Sequence, residues 1–478
     1  MSHDAHGPRV WHGVGTMRQR TIQRRRLAAL LVAVVVVAGV VVVLLGRGGE
    51  SSGPRRLAPG AGTTDATRDP FGYDARHQAD FETAAAAGLS HPLYDKSPGG
   101  AYATAQRVAR FRPVIEDVAR RAHQDANTLE AIVFLESAGR SDAMASDDLN
   151  SAVGLTQILA QTATGLLGLK VDVAKSTRLT QQIGRSQSFK HIAQLKRRRA
   201  QVDQRFDAHQ ALMATTRYLE FAQDNLHGRA DLAVESYHMG VGNLQRALKA
   251  YGNSDIPYAQ LFFDSTPARH AAAWKVLSSL GDDSSTYLWR IGAAKDIMKL
   301  YRDDPAKLKA QAALQDSPGG ERVLRPQSTS TAFANADALR TDALVQLTGA
   351  ALRPSAALAR APTGQDALRP DALRLLRYLA LGVRGFSRTA PVVVTSAARS
   401  VAQEDRDTRG AFGTAEAAPS THTTGFAFDL SRAYRSDAQA QALQFWLDRL
   451  TALNVIAWTR EADVIHVTVG PRAARLSQ

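Results

Sequence analysis

Apolar and polar positions divide the chain into stretches of different period. Residues 27–46, LAALLVAVVVVAGVVVVLLG, are twenty consecutive positions without a charge. At about 1.5 Å per residue a helix of that length crosses the roughly 30 Å hydrocarbon core of a bilayer. Residues 47–105 are rich in Gly, Pro, Ser, Thr, Asp and Ala without sustained apolar periodicity. They read as a linker with a short helix near Phe81–Ala87. Helical spacing dominates residues 106–305. A second punctuated stretch, 306–336, contains DSPGGERVLRPQSTSTAFANA and reads as another linker. Residues 337–478 open with helical spacing at Ala338–Leu347 and Asp371–Leu381. They then change to the short β-like runs PVVVTSA, GFAFDLS and DVIHVTV. No internal repeat is evident. The expected architecture is multidomain: a single N-terminal transmembrane helix, an all-α unit, then an α+β unit.

Charge sets the orientation. Residues 1–26 carry six Arg and one acid, Asp4, with Arg18, Arg20, Arg24, Arg25 and Arg26 crowding the apolar run. By the positive-inside rule this tail is cytoplasmic, so the bulk of the chain faces outward as a single-pass membrane protein. The length of the run and its GRGGESSG flank favour a retained anchor over a cleaved leader. The chain is basic, at +14, and has no Cys. Disulfides, thiolate metal sites and cysteine nucleophiles are thereby excluded. A basic exterior beyond the membrane suits an anionic wall and removes the case for nucleic acid.

Two places carry candidate chemistry. In TLEAIVFLES, Leu129, Ile132, Val133 and Glu136 share one helical face, and Asn127 with Glu130 has capping-box spacing. Glu136 is then a carboxylate on an apolar stripe near the negative end of a helix dipole. Both effects favour its protonated form. A carboxylic acid held protonated suits cleavage of a glycosidic bond, whose leaving oxygen must receive a proton.

Glu136 opens an ordered set: ESAGRSDAMAS (136–146), AVGLTQI (152–158), FDAHQAL (206–212) and AVESYHMGVGN (233–243). Together these resemble the soluble lytic transglycosylase domain, related in fold to goose-type lysozyme. The resemblance implies peptidoglycan as substrate, a bacterial host and no cofactor for this domain. It implies that Glu136 acts as acid and base, cutting the bond between N-acetylmuramic acid and N-acetylglucosamine with formation of an anhydro-muramic end. It implies substrate-side roles for Ser137, Gln157, Tyr237 and His238. The chain departs from the family at Thr156, at His238, and in an insertion of about forty residues, Lys170–Asp207, that contains LKRRRAQ. A hydrolytic lysozyme would need a second carboxylate, for which Asp142, Asp147 and Asp148 are the nearest in sequence.

The second place is STHTTGFAFD, Ser420–Asp429, followed by EADVIHVTV. His422, Asp429 and His466 offer two imidazoles and a carboxylate, a ligand set that zinc accepts with a fourth position open. Arg399 could stabilise a developing oxyanion. These motifs, with Arg399 to Gln403, resemble zinc D-Ala-D-Ala carboxypeptidases and dipeptidases. The resemblance implies Zn2+ bound by His422, Asp429 and His466, and a general base three residues before His466. That position is Asp463, one methylene short of the family's glutamate, so Glu461 is the alternative base. The leading expectation is a membrane-anchored peptidoglycan enzyme with two heads. The alternatives are a transglycosylase with a non-catalytic wall-binding C-terminal domain, and a non-enzymatic envelope scaffold.

Overall fold

A computed structural model of the chain describes residues 69–315, 321–324, 332–412 and 420–477. The expected anchor at 27–46 and its basic tail lie outside the described residues. Among the described residues no helix is long and apolar enough to cross a membrane.

The helical part starts earlier than its periodicity suggests. Helices α1 (Gln78–Gly88), α2 (His91–Asp95) and α3 (Gly100–Ala109) occupy much of the stretch expected to be a linker. The correction has a physical cause. This segment buries mostly small residues, including Ala84, Ala85, Ala86, Ala101 and Ala105, which give little apolar contrast in sequence but allow close approach. A Cβ on Gly292 would stand 3.0 Å from that of Ala86. Then follow α4 (Arg112–Arg121), α5 (Ala126–Ser137), α6 (Ala160–Gly165), α7 (Val173–Arg185), α8 (Phe189–Val202) and α9 (Ala208–Asn225). The unit continues through α10 (Ala230–Met239), α11 (Val241–Tyr251), α12 (Tyr258–Asp264), α13 (Ala271–Ser278), α14 (Tyr287–Asp303) and α15 (Pro305–Gln315). Helix α5 runs through the core, with Leu129, Ile132 and Val133 fully buried. It packs against α3, α4 and α14. Each such side chain contributes about 1.5–3 kcal/mol through burial.

The start of α5 differs from the expected capping box. Its N-cap is Asp125, which accepts from Asn127 N and from the Thr128 hydroxyl. Glu130, expected to reach back to the backbone, is buried instead. It accepts from Arg112 at 3.0 Å and Arg302 at 2.6 Å. Two guanidiniums outcompete a single backbone N–H for that carboxylate.

After α15 and the short α16 (Glu321–Leu324), the chain forms the α+β unit. Strand β1 (Val345–Gln346) pairs antiparallel with β3 (Ala367–Leu368), where a helix over 338–347 was expected. The main sheet contains β2 (Leu352–Pro354), β4 (Val392–Ser396), β5 (Ala427–Ser431), β6 (Ile456–Arg460) and β7 (Val464–Val469), in the order β2-β4-β5-β7-β6. Only β2–β4 is parallel. Helices α17 (Pro370–Ser387) and α19 (Asp437–Ala452) pack on the sheet's apolar face, and α18 (Val401–Phe412) follows β4.

The two units share a core. Phe71 and Phe81 belong to the same apolar cluster as Val467 and Leu447. Arg449 of α19 donates to Phe263 O at 2.8 Å and Phe71 O at 3.1 Å, and Tyr378 donates to Asp69 at 2.9 Å. A Cβ on Gly88 would lie 1.9 Å from Thr451 O, so α1 meets α19 backbone to backbone. The second expected linker is also partly helical: Leu308 of α15 is fully buried, and Gln315 bonds His91 at 2.9 Å.

Candidate active site and candidate metal centre

Glu136 occupies the last turn of α5. The helix stops because Ala138 (φ 53°) and Gly139 (φ 73°) turn left-handed, returning their N–H groups to Phe134 O and Val133 O. Gly139 is required there, since a Cβ would come within 2.7 Å of Val108 N. Glu136 is half-buried, with Oε1 accepting from the Tyr287 hydroxyl at 2.7 Å. Burial raises its pKa above the ordinary carboxylate value, while His238 and the Tyr287 hydrogen bond pull it back.

An aromatic wall stands behind the carboxylate. Tyr287 stacks on His238, with centroids 5.3 Å apart, and on Tyr237 at 6.3 Å. Tyr237 donates to Thr156 O at 2.8 Å, linking α10 to the turn that carries Gln157. His238 Nδ1 meets the Ser284 hydroxyl at 2.8 Å. The turn at 143–158 is a small hairpin, closed by bonds between Val153 and Ile158 and between Ala143 and Gly154. Gln157 sits at its tip with φ 49°, its amide donating to Gly154 O at 2.9 Å.

Glu136, Tyr237 and His238 are thus brought together, and Gln157 is joined to them through Thr156. Ser137 is buried, its hydroxyl donating to Val133 O while its carbonyl holds Arg140 N. It braces the loop. Among the three aspartates considered for a hydrolase, Asp142 is ion-paired to Lys196 at 2.6 Å and Asp148 bonds Asn150. Tyr287 escaped the sequence reading altogether. It lies 151 residues from Glu136, and a Tyr opening a helix has no local signature.

In the α+β unit, Asp429 on β5 and His466 on β7 are register partners. His422 comes from a one-turn helix, Thr421–Thr424. His422 Nε2 and His466 Nδ1 approach Asp429 Oδ1 at 3.1 and 2.9 Å. The ligand atoms of all three lie within 4.8 Å of one another, and all three residues are buried. The outer nitrogens are also occupied. His422 Nδ1 meets Ala397 O at 2.6 Å, and His466 Nε2 meets the hydroxyls of Thr421 and Thr468 at 3.2 and 3.3 Å. With a proton on each outer nitrogen, both lone pairs converge on the carboxylate, the pattern by which outer partners orient metal-binding imidazoles. This donor set fits a divalent cation such as zinc.

Arg399 joins the cluster, reaching Asp429 Oδ2 at 3.4 Å while also bonding Glu404 at 3.0 Å and Ser396 at 2.8 Å. Asp463 and Glu461 stand apart from the close ligand group. Both are exposed in the β6–β7 turn, where the carbonyls of residues 461–463 hold Arg432.

Residues 113–259 match the family model described as the transglycosylase SLT domain. No curated protein matches the chain. The matched stretch, less than half of the chain, runs from α4 into α12 and contains Glu136, Gln157, Tyr237 and His238. The match supports a peptidoglycan-cleaving lytic transglycosylase activity, seated in a lysozyme-like helical domain ahead of a helix-and-sheet region.

Proposed function

We propose that the chain is a membrane-anchored lytic transglycosylase in which Glu136 performs both proton transfers. The observation that carries this is a half-buried carboxyl with a raised pKa, bonded to Tyr287, inside the matched domain. Glu136 protonates the oxygen between N-acetylmuramic acid and N-acetylglucosamine, and the C1–O bond breaks. The resulting carboxylate takes the proton from the muramic sugar's own primary hydroxyl as that oxygen bonds C1, leaving a 1,6-anhydro end. Atoms balance without water. Tyr287 stabilises the carboxylate between the two transfers. The anchor is the 27–46 run, which keeps the catalytic units on the wall side.

The C-terminal unit acts on or binds stem peptides. His422, Asp429 and His466 would hold zinc, which when bound polarises a peptide carbonyl and acidifies its water. Arg399 orients Asp429 and adds positive charge beside it. The exposure of Asp463 and Glu461 away from the cluster favours a second reading, in which this unit binds wall peptides without cutting them. A fused core holds the two units on one polymer at high effective concentration. The test is digestion of purified peptidoglycan by the wild-type protein and Glu136→Gln, with and without chelator, read by mass spectrometry. Anhydro ends should vanish in the variant. Chelator-sensitive shortening of stem peptides would establish the peptidase, and its absence would leave the binding role.

A further inference from the structure

The insertion folds as the hairpin α7–α8, turning at Ser186–Ser188 with Phe189 at its tip. Residues 170–202 contain nine Lys or Arg and one acid, Asp172. Arg199 is buried, 3.7 Å over the Phe206 ring and bonded to Thr180 at 3.0 Å. By contrast Arg178, Arg185, Lys190, Arg197 and Arg198 are exposed and make no ion pair among the described residues. Phe189 is 90% exposed. Cations gathered without counter-charges repel one another, and such a surface is relieved when an anion meets it.

The hairpin is built onto the Glu136 site. Lys196 binds Asp142, in the loop that follows Glu136, at 2.6 Å. Just beyond α8, Arg205 has no exposed surface and pairs with Asp203 at 2.8 Å. Its guanidinium also donates to the carbonyls of Leu149 at 2.8 Å, Ser151 at 3.1 Å and Ile158 at 3.3 Å, the hairpin turn that carries Gln157. A Cβ on Gly154 would lie 1.9 Å from Arg205 O, so the two backbones are in direct contact.

We propose that this hairpin is an arm of the glycan-binding site that takes the carboxylates of the stem peptides carried by the strand. The proposal rests on the peptidoglycan-cleaving reading and names the part of the substrate that the arm recognises. The sugar backbone itself offers few charges, whereas stem peptides place carboxylates at intervals along it. Phe189 supplies an apolar surface for the peptide methyl groups or a sugar face. Anchorage on both catalytic loops favours the substrate strand over a lipid surface.

The test replaces Arg178, Arg185, Lys190, Arg197 and Arg198 together by Glu. Rates are compared on peptide-bearing glycan and on the same glycan stripped of peptides by an amidase. The ratio of the two kcat/KM values should fall about tenfold, equivalent to about 1.4 kcal/mol, and added salt should erode the wild-type preference. Binding of the same charge reversal in a Glu136→Gln background to intact and stripped sacculi gives a readout that does not need turnover. It keeps the arm testable if the catalytic reading fails. An unchanged ratio together with unchanged binding would overturn the proposal. So would a loss that tracks a phosphate-rich wall polymer rather than peptide, or stronger wild-type binding to anionic lipid vesicles than to sacculi. Unchanged circular dichroism melting is the control for folding.

Discussion

Replacing Tyr287 by Phe isolates the hydrogen bond that its hydroxyl gives to the Glu136 carboxyl. The ring keeps its stacking on His238 and Tyr237, and only the hydroxyl at 2.7 Å from Oε1 is lost. A hydrogen bond to a charged acceptor contributes about 1.5–3 kcal/mol and a neutral pair about 0.5–1.5 kcal/mol. The hydroxyl therefore favours ionised over protonated Glu136 by about 1 kcal/mol. Burial already raises the pKa of this group, and Tyr287 is among the groups opposing that rise. Removing it moves Glu136 further toward the acid form. The first proton transfer needs the acid, so activity falls as pH rises through the Glu136 pKa. In Tyr287→Phe that descending limb should move to higher pH. On the limb the variant should exceed wild type relative to their plateaus by about fivefold, the factor that corresponds to about 1 kcal/mol. The assay is the initial rate of anhydro-product release across pH. A limb that stays in place, or moves toward acid, would refute the reasoning. A uniform loss at every pH would show that the hydroxyl positions substrate instead.

Glu235 is fully buried, with Oε2 accepting from Leu288 N at 2.8 Å, and burial pushes its pKa well above the ordinary value. Its folded form binds the proton more tightly than the unfolded chain, so stability is lost as pH rises from the ordinary carboxylate value through the raised one. Glu235→Gln should raise the melting temperature at alkaline pH and not in acid; equal gains at both would contradict this. Arg205→Met leaves Asp203 buried and unpaired and should cost about 3–5 kcal/mol in denaturant unfolding. A cost below 1 kcal/mol would mean that the Gln157 turn does not depend on it. His422→Ala should abolish stoichiometric zinc uptake measured by elemental analysis, and retained zinc would move the metal elsewhere.

Legibility in the sequence followed the range of the interactions. Residues acting through local spacing were readable: the stripe that buries α5 and aims Glu136, and the decapeptide that brings His422 near Asp429. His466 was readable because β alternation aims it, and its pairing with Asp429 follows from sheet register. What depends on distant partners was not readable. Tyr287 reaches Glu136 from α14, and Glu130 turns to Arg112 and Arg302 instead of its own helix start. In the expected linker before residue 105 the short helix near Phe81–Ala87 is present as α1, whereas α2 and α3 were not readable because alanine packing leaves almost no periodic signal. Its role became visible only against Gly292 and the Thr451 backbone. Strand β6 was missed because Trp458, Thr459 and Arg460 on a sheet edge do not alternate in polarity.

Glu136 is proposed to cut glycan without water. This is tested most directly by digesting peptidoglycan in heavy-oxygen water and reading the new muramic ends by mass spectrometry. The anhydro ends should carry no solvent oxygen, with release reduced by about 10²–10⁴-fold in Glu136→Gln, the usual contribution of a positioned acid–base group. Reducing ends labelled with solvent oxygen would contradict it and return the search to a second carboxylate.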